Sequence, residues 1–211
     1  MSDVTATRHP GLNLNHTDRE THDRAESVMF GFWVFMMSDL VLFAVLFATY
    51  AAQSVHGIAG GPAPAEIFEL KSTLWQTLVL LTSSFTMGLA ALALKYRDDR
   101  RRLVLWLLVT AALGGTFLYL EGADWLRMAR DHGAVPQVSG FLSIFYALTG
   151  THFLHVSAAM VWIGVMLVQI GRFGLKPEVK LRVMRLAILW HLLDVVWIGI
   201  FTFVFLFGVV Q

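Results

Sequence analysis

Five apolar blocks, each long enough to cross a bilayer, decide what this chain can fold into. They run over residues 29–52, 72–94, 103–121, 139–170 and 183–210. A transmembrane helix needs about 20 mostly apolar residues, and each block supplies a stretch of that order. The fold class expected is all-α: a polytopic membrane protein, a bundle of five transmembrane helices. Residues 1–27 are expected to form a flexible cytoplasmic tail, and residues 28–211 a single transmembrane domain. Composition agrees, with 56% hydrophobic and 15% charged residues. A soluble domain is nearer a quarter charged.

Several function classes drop out at once. The net charge of +1 gives no surface for a nucleic acid, and the absence of cysteine excludes disulfides, thiolate metal sites and cysteine nucleophiles. The N-terminal stretch is polar and of mixed charge, without the basic start and short apolar core of a cleaved signal peptide. His9, His16 and His22 fall in it and read as solvated tail residues. Gly57, Gly60, Gly61, Pro62 and Pro64 mark the connection after the first span as a series of turns. His56 and His132 read as loop positions. No internal repeat suggests the inverted halves of many transporters.

Lys and Arg set the orientation. The tail, the connection after the second span and the segment after the fourth carry thirteen of them, and the opposite side carries three. The N-terminus is therefore expected in the cytoplasm and the C-terminus in the periplasm of a bacterial inner membrane. "YRDDRRR" reads as a tight basic turn that holds spans two and three antiparallel.

Inside this frame lie five polar residues at one depth. Asp39 stands about ten residues into the first span, hence about 15 Å deep at 1.5 Å per residue. Asp194 lies at a similar depth in the fifth span, and His191 one turn shallower. His152 and His155 fall in the same layer of the fourth span, which enters from the other side. His191 and Asp194 are i and i+3, as are His152 and His155, so each pair shares a helix face. Ionisable groups at this depth face the protein interior and find partners.

Three readings of the layer stand side by side. The groups can lock the bundle by hydrogen bonds between helices, each worth about 0.6–2 kcal/mol. They can form a metal or proton path in a stand-alone membrane transporter, since imidazole and carboxylate are zinc-type ligands. They can ligate haem between imidazoles on two helices. Spacing does not choose among these. Elsewhere, Trp75 and Trp125 fit an interfacial aromatic belt. Glu121 and Asp124 read as solvated acidic residues where span three meets the outer surface.

Three motifs, in order, do choose. "MSDLVLFAVLFATYA", "SGFLSIFYALTGTHFLHV" and "WHLLDVVWIGIFTFVFL" resemble subunit III of the haem–copper terminal oxidases. The resemblance runs from about Met29 to the end. Five spans match the short bacterial form rather than the form with two further N-terminal helices. The "GGPAPAEIFEL" loop and Asp39 are most similar to the o-type ubiquinol oxidase branch, many cytochrome c oxidase relatives having glutamate at that position.

The resemblance implies a respiratory role. Subunit I would hold the haems and copper, oxidise ubiquinol, reduce oxygen to water and pump protons. Subunit III would hold no cofactor and would not be catalytic by itself. It would pack beside subunit I, with subunits II and IV in the same complex, carry membrane lipids, and support assembly and proton supply. Asp39 matches the family's buried carboxylate, a candidate for proton supply. His152, His155, His191 and Asp194 match interior positions, and Glu121 an acidic position at a helix end. Asp39 is one methylene shorter than glutamate, which bears on any role needing reach.

Overall fold

The computed structural model of the chain describes residues 19–56, 69–97 and 99–210. All regular structure among them is helical. Helix α1 spans Arg19–His56, α2 Leu70–Leu92, α3 Arg100–Asp131, α4 Gly140–Phe173 and α5 Pro177–Ile200. Helix α2 ends in a π-helical turn, Ala93–Arg97, and α5 continues through a second, Phe201–Leu206, into the turn Phe207–Val210. The five helices are each long and apolar enough to cross a membrane.

Helix ends depart from the edges of the apolar blocks. Helix α1 begins at Arg19, so its first turns occupy part of the segment expected to be a tail, and it closes at His56, expected in a loop. Helix α3 runs past Glu121 to Asp131, and α5 starts at Pro177, before the expected Val183. Apolarity marks where lipid would be. A helix instead continues until its backbone bonding is interrupted, and "ADWLRMARD" after Gly122 holds no breaker. Residues 1–18, with His9 and His16, and the glycine- and proline-rich connection over 57–68 lie outside the described residues.

Local chemistry sets the described ends. Asp99 caps α3 by accepting from the backbone N–H groups of Arg101 and Arg102 at 3.0 and 3.3 Å. Ser139 caps α4 through Leu142 N–H at 3.1 Å. Gly174, at φ 69°, ends α4 in a backbone region that other residues avoid. Pro177 stands in the first turn of α5, where its missing N–H costs nothing.

Cross-helix contacts fix the topology. Against α1, Phe32, Asp39, Phe43 and Tyr50 meet Trp162, His155, His152 and Phe141 in descending order, so α1 and α4 are antiparallel. Gln76 meets Asp124 and Thr86 meets Thr110, so α2 and α3 are antiparallel, as the tight basic turn requires. Helix α5 lies at the centre. Half of its most apolar window is buried, against 17% for α1. Helix α1 buries a stripe of large side chains seven residues apart, Met36, Phe43 and Tyr50.

Two tryptophans make α5 the hub. Trp190 and Trp197 are the largest fully buried side chains. Each indole N–H is answered from α2: Trp190 Nε1 donates to Ser83 Oγ at 3.1 Å, and Trp197 Nε1 to Thr77 Oγ1 at 3.1 Å. Buried tryptophan needs such a partner for its one donor. The Trp190 ring then leaves α3 no room for a side chain at Gly114. A Cβ there would stand 2.7 Å from Trp190 Cη2 and 2.8 Å from Met160 Sδ. Gly114→Ala is therefore expected to destabilise the bundle by about 1–3 kcal/mol, read as a lower thermal midpoint in detergent. An unchanged midpoint would mean that the ring yields freely.

Candidate functional site

Asp39 on α1 reaches α4. Its Oδ2 lies 3.3 Å from His155 Nε2, with the two side chains 12% and 27% exposed. The other ring nitrogen, Nδ1, is 2.7 Å from the Thr151 carbonyl oxygen one turn back. A carbonyl only accepts, so Nδ1 carries a proton in that bond. A neutral imidazole would then turn a lone pair toward a carboxylate that also only accepts. The contact is attractive when one further proton lies between Nε2 and Oδ2, on either atom. The geometry thus suits a pair that holds a single proton at the middle of two spans, with the Phe43 ring 5.4 Å from the imidazole.

His152, one turn away on α4, is placed quite differently. It is buried, and neither ring nitrogen has a hydrogen-bond partner. The ring stacks on Trp197, with centroids 5.3 Å apart and planes 29° apart. Phe117 and Phe43 stand edge-on at 5.9 and 6.4 Å. The imidazole sits in an aromatic cage.

His191 and Asp194 turn to another side of α5, against α2. His191 Nδ1 is 2.8 Å from Ser84 Oγ. Asp194 is largely buried and leaves Oδ1 unpaired. The five residues expected in one layer therefore divide into the Asp39–His155 pair, the His191–Ser84 contact beside Asp194, and the caged His152. No hydrogen bond joins these parts among the described residues. Among those residues, too, no group of three or more His, Asp or Glu side chains could hold a metal ion.

Glu121 is not at a solvated helix end. It lies within α3, is 2% exposed, and its Oε1 is unpaired. The expectation failed because the apolar block ends there while the helix continues. Trp125, one turn on, packs its ring on Tyr146 and Phe153 at 5.8 and 5.1 Å. Its Nε1 is buried and without a hydrogen-bond partner of normal geometry. Trp75 is exposed.

Asp124 carries a polar cluster that sequence reasoning missed. Its Oδ2 accepts from Ser72 Oγ at 2.8 Å and from Gln76 Nε2 at 2.6 Å. Its Oδ1 accepts from Arg127, which also reaches Glu69 Oε2 at 3.3 Å. The cluster ties the start of α2 to the end of α3. Gln76, the one amide in a span without charged residues, was the available signal.

The cage around His152 makes a test. Phenylalanine fills the same ring space without two unpaired nitrogens, each a cost of about 1–3 kcal/mol when buried. His152→Phe is expected to hold or raise the thermal midpoint of the protein. A clear fall would show that the ring nitrogens serve a polar partner.

Comparison with known proteins adds a second line of observation. The family model described as "Cytochrome c oxidase subunit III" matches residues 12–209. A protein of Pseudomonas putida named cytochrome bo(3) ubiquinol oxidase subunit 3 is 46% identical over 189 residues, 89% of this chain and 89% of its own length. Its counterpart of the same name in Pseudomonas aeruginosa is 42% identical over 210 residues, 99% of each chain. A quinol oxidase subunit 3 of Bacillus subtilis is 38% identical over 178 residues, 84% of this chain and 86% of its own.

Proposed function

Because the chain belongs to the cytochrome c oxidase subunit III family, we propose that it is subunit III of a proton-translocating ubiquinol oxidase in the bacterial respiratory chain. The near end-to-end match with proteins named cytochrome bo(3) ubiquinol oxidase subunit 3 carries this reading. It also displaces the stand-alone transporter, a class to which none of these relatives' names points.

In this reading the chain has no redox centre of its own. Subunit I holds the haems and copper, oxidises ubiquinol and reduces oxygen to water. This chain packs beside it, with subunits II and IV and membrane lipids, and sustains assembly and turnover. The charge pattern supports an N-terminus in the cytoplasm and a C-terminus in the periplasm of the inner membrane, with thirteen Lys and Arg on one side and three on the other. The Asp39–His155 pair is the group best suited to proton supply, because its geometry has room for one proton between two otherwise repelling acceptors. Such a pair can pass a proton onward without moving a net charge far through hydrocarbon, where charge is costly.

Two measurements test this. Purified from its native membrane, the chain is expected with haem-bearing subunits, adding no haem signal of its own. A haem spectrum or stoichiometric metal in the chain purified without partners would overturn the reading. Within the assembled complex, Asp39→Ala is expected to leave the haem spectrum unchanged and to shorten sustained turnover. Loss of the haem signal in a fully assembled variant would contradict a supporting role.

A further inference from the structure

Between α2 and α5 a groove of about 450 Å³ opens on the side of the bundle at the middle of both spans. Its rim on α2 is apolar. Leu81, Phe85 and Leu92 lie on one stripe, and all three are exposed, Phe85 by 68%. Its floor is polar: Ser84 from α2, and His191 and Asp194 from α5. Such a combination is out of place against lipid. Acyl chains would cover the leucines and the phenylalanine, but they would leave an imidazole and a carboxyl bare at mid-membrane.

Two polar atoms here lack a partner. His191 uses Nδ1 on Ser84 and makes no hydrogen bond with Nε2 among the described residues. Asp194 is 7% exposed and its Oδ1 is unpaired. His191 is exposed, so its Nε2 is a place where a hydrogen-bonding group from outside the chain would fit, with the Asp194 carboxyl beside it in the lining of the groove.

The shape of the groove names what brings that group. Ser84 and Gly88 are four residues apart on the α2 face that lines it. Small residues at that spacing let a second helix approach closely in a membrane. At Gly88 an added Cβ would meet nothing within 4 Å, so the space is open and this chain does not fill it. From Leu81 to Leu92 the rim follows α2 for about 16 Å at 1.5 Å per residue. That length suits a helix lying alongside.

We propose that this groove is the seat of a transmembrane helix from another subunit of the oxidase, which presents a hydroxyl or amide side chain to His191 and Asp194. The inference rests on the reading of the chain as an oxidase subunit. It goes further by assigning the interface to one face, that of α2 and α5, and by giving the chemistry of the contact. His191 and Asp194 then act as a recognition pair between subunits and not as metal ligands.

The test uses the assembled complex in its native membrane, with p-benzoylphenylalanine in place of Phe85, an exposed position that accepts the larger ring. On illumination, the adduct is expected on a transmembrane segment of a co-purifying oxidase subunit, mapped by mass spectrometry. Adding Gly88→Leu, at a position where a Cβ meets nothing within 4 Å and a larger side chain would occupy the groove, is expected to abolish that adduct. An intact complex whose adduct falls only on lipid, on quinone or on a second copy of this chain overturns the proposal, and so does one giving no adduct. Because the Phe85 probe works without the second substitution, a folding failure of Gly88→Leu does not blunt the test. If the probe-free chain never co-purifies with haem-bearing subunits, the oxidase reading fails instead, and the two failures are distinct.

Discussion

Hydrocarbon offers no hydrogen-bond partners, and that constraint orders the rest of this bundle. Each helix satisfies its own backbone, so the polar side chains are what remains to be answered. Two answers carry the centre: the indole N–H groups of Trp190 and Trp197, given to Ser83 and Thr77 of α2. The bonds decide which way each ring lies, and the rings then decide what neighbouring helices can place beside them. Gly114 on α3 is bare because Trp190 occupies the space. Phe117 packs edge-on to Trp197 at 4.7 Å, and the His152 ring stacks on Trp197 at 5.3 Å. One choice, a donor-bearing ring on the central helix, thereby sets a hydroxyl on α2, a glycine on α3 and a ring on α4.

His152 and His155 show how finely position divides identical chemistry. They are one turn apart on the same helix. His155 faces α1, where Asp39 supplies an acceptor and Thr151 fixes the ring. His152 faces the aromatic interior, where no polar atom answers it. Aromatic contact contributes about 0.5–1.5 kcal/mol per pair, against about 1–3 kcal/mol for each unpaired buried group. The cage therefore offsets only part of the cost of its imidazole. Of the two, only His155 has a second titratable group, Asp39, within 3.3 Å.

Much of this was legible in the sequence. Five spans follow from length and apolarity, and the three motifs fix the family. The common depth expected for Asp39, His152, His155, His191 and Asp194 is arithmetic on helix rise. Pairing was not legible, because periodicity tells which residues share a face of one helix and nothing about which helix that face meets. His191 and Asp194 share a face, but only the packing of α5 on α2 brings Ser84 to them. Glu121 misled for a related reason. The apolar block stops there, and only continued backbone bonding carries α3 on to Asp131 and buries the carboxyl. Asp124 looked solvated until Gln76 and Ser72, distant in sequence, were placed against it.

The unanswered polar atoms are not all of one kind. Those of His152 lie in the interior, on a ring 1% exposed that stacks on Trp197 and is flanked by Phe117 and Phe43, beyond the reach of a neighbouring subunit. That of His191 belongs to an exposed ring at a groove that opens outward, with the Asp194 carboxyl beside it. A polar floor beneath exposed leucine and phenylalanine is costly in lipid and favourable beneath a helix that brings a hydrogen-bonding group. The folded chain is then stabilised by whatever binds its native surface and not its unfolded form. For a membrane subunit whose relatives act within a larger complex, stability and assembly become one quantity. The same residues that would weaken the isolated chain would mark where its neighbour belongs.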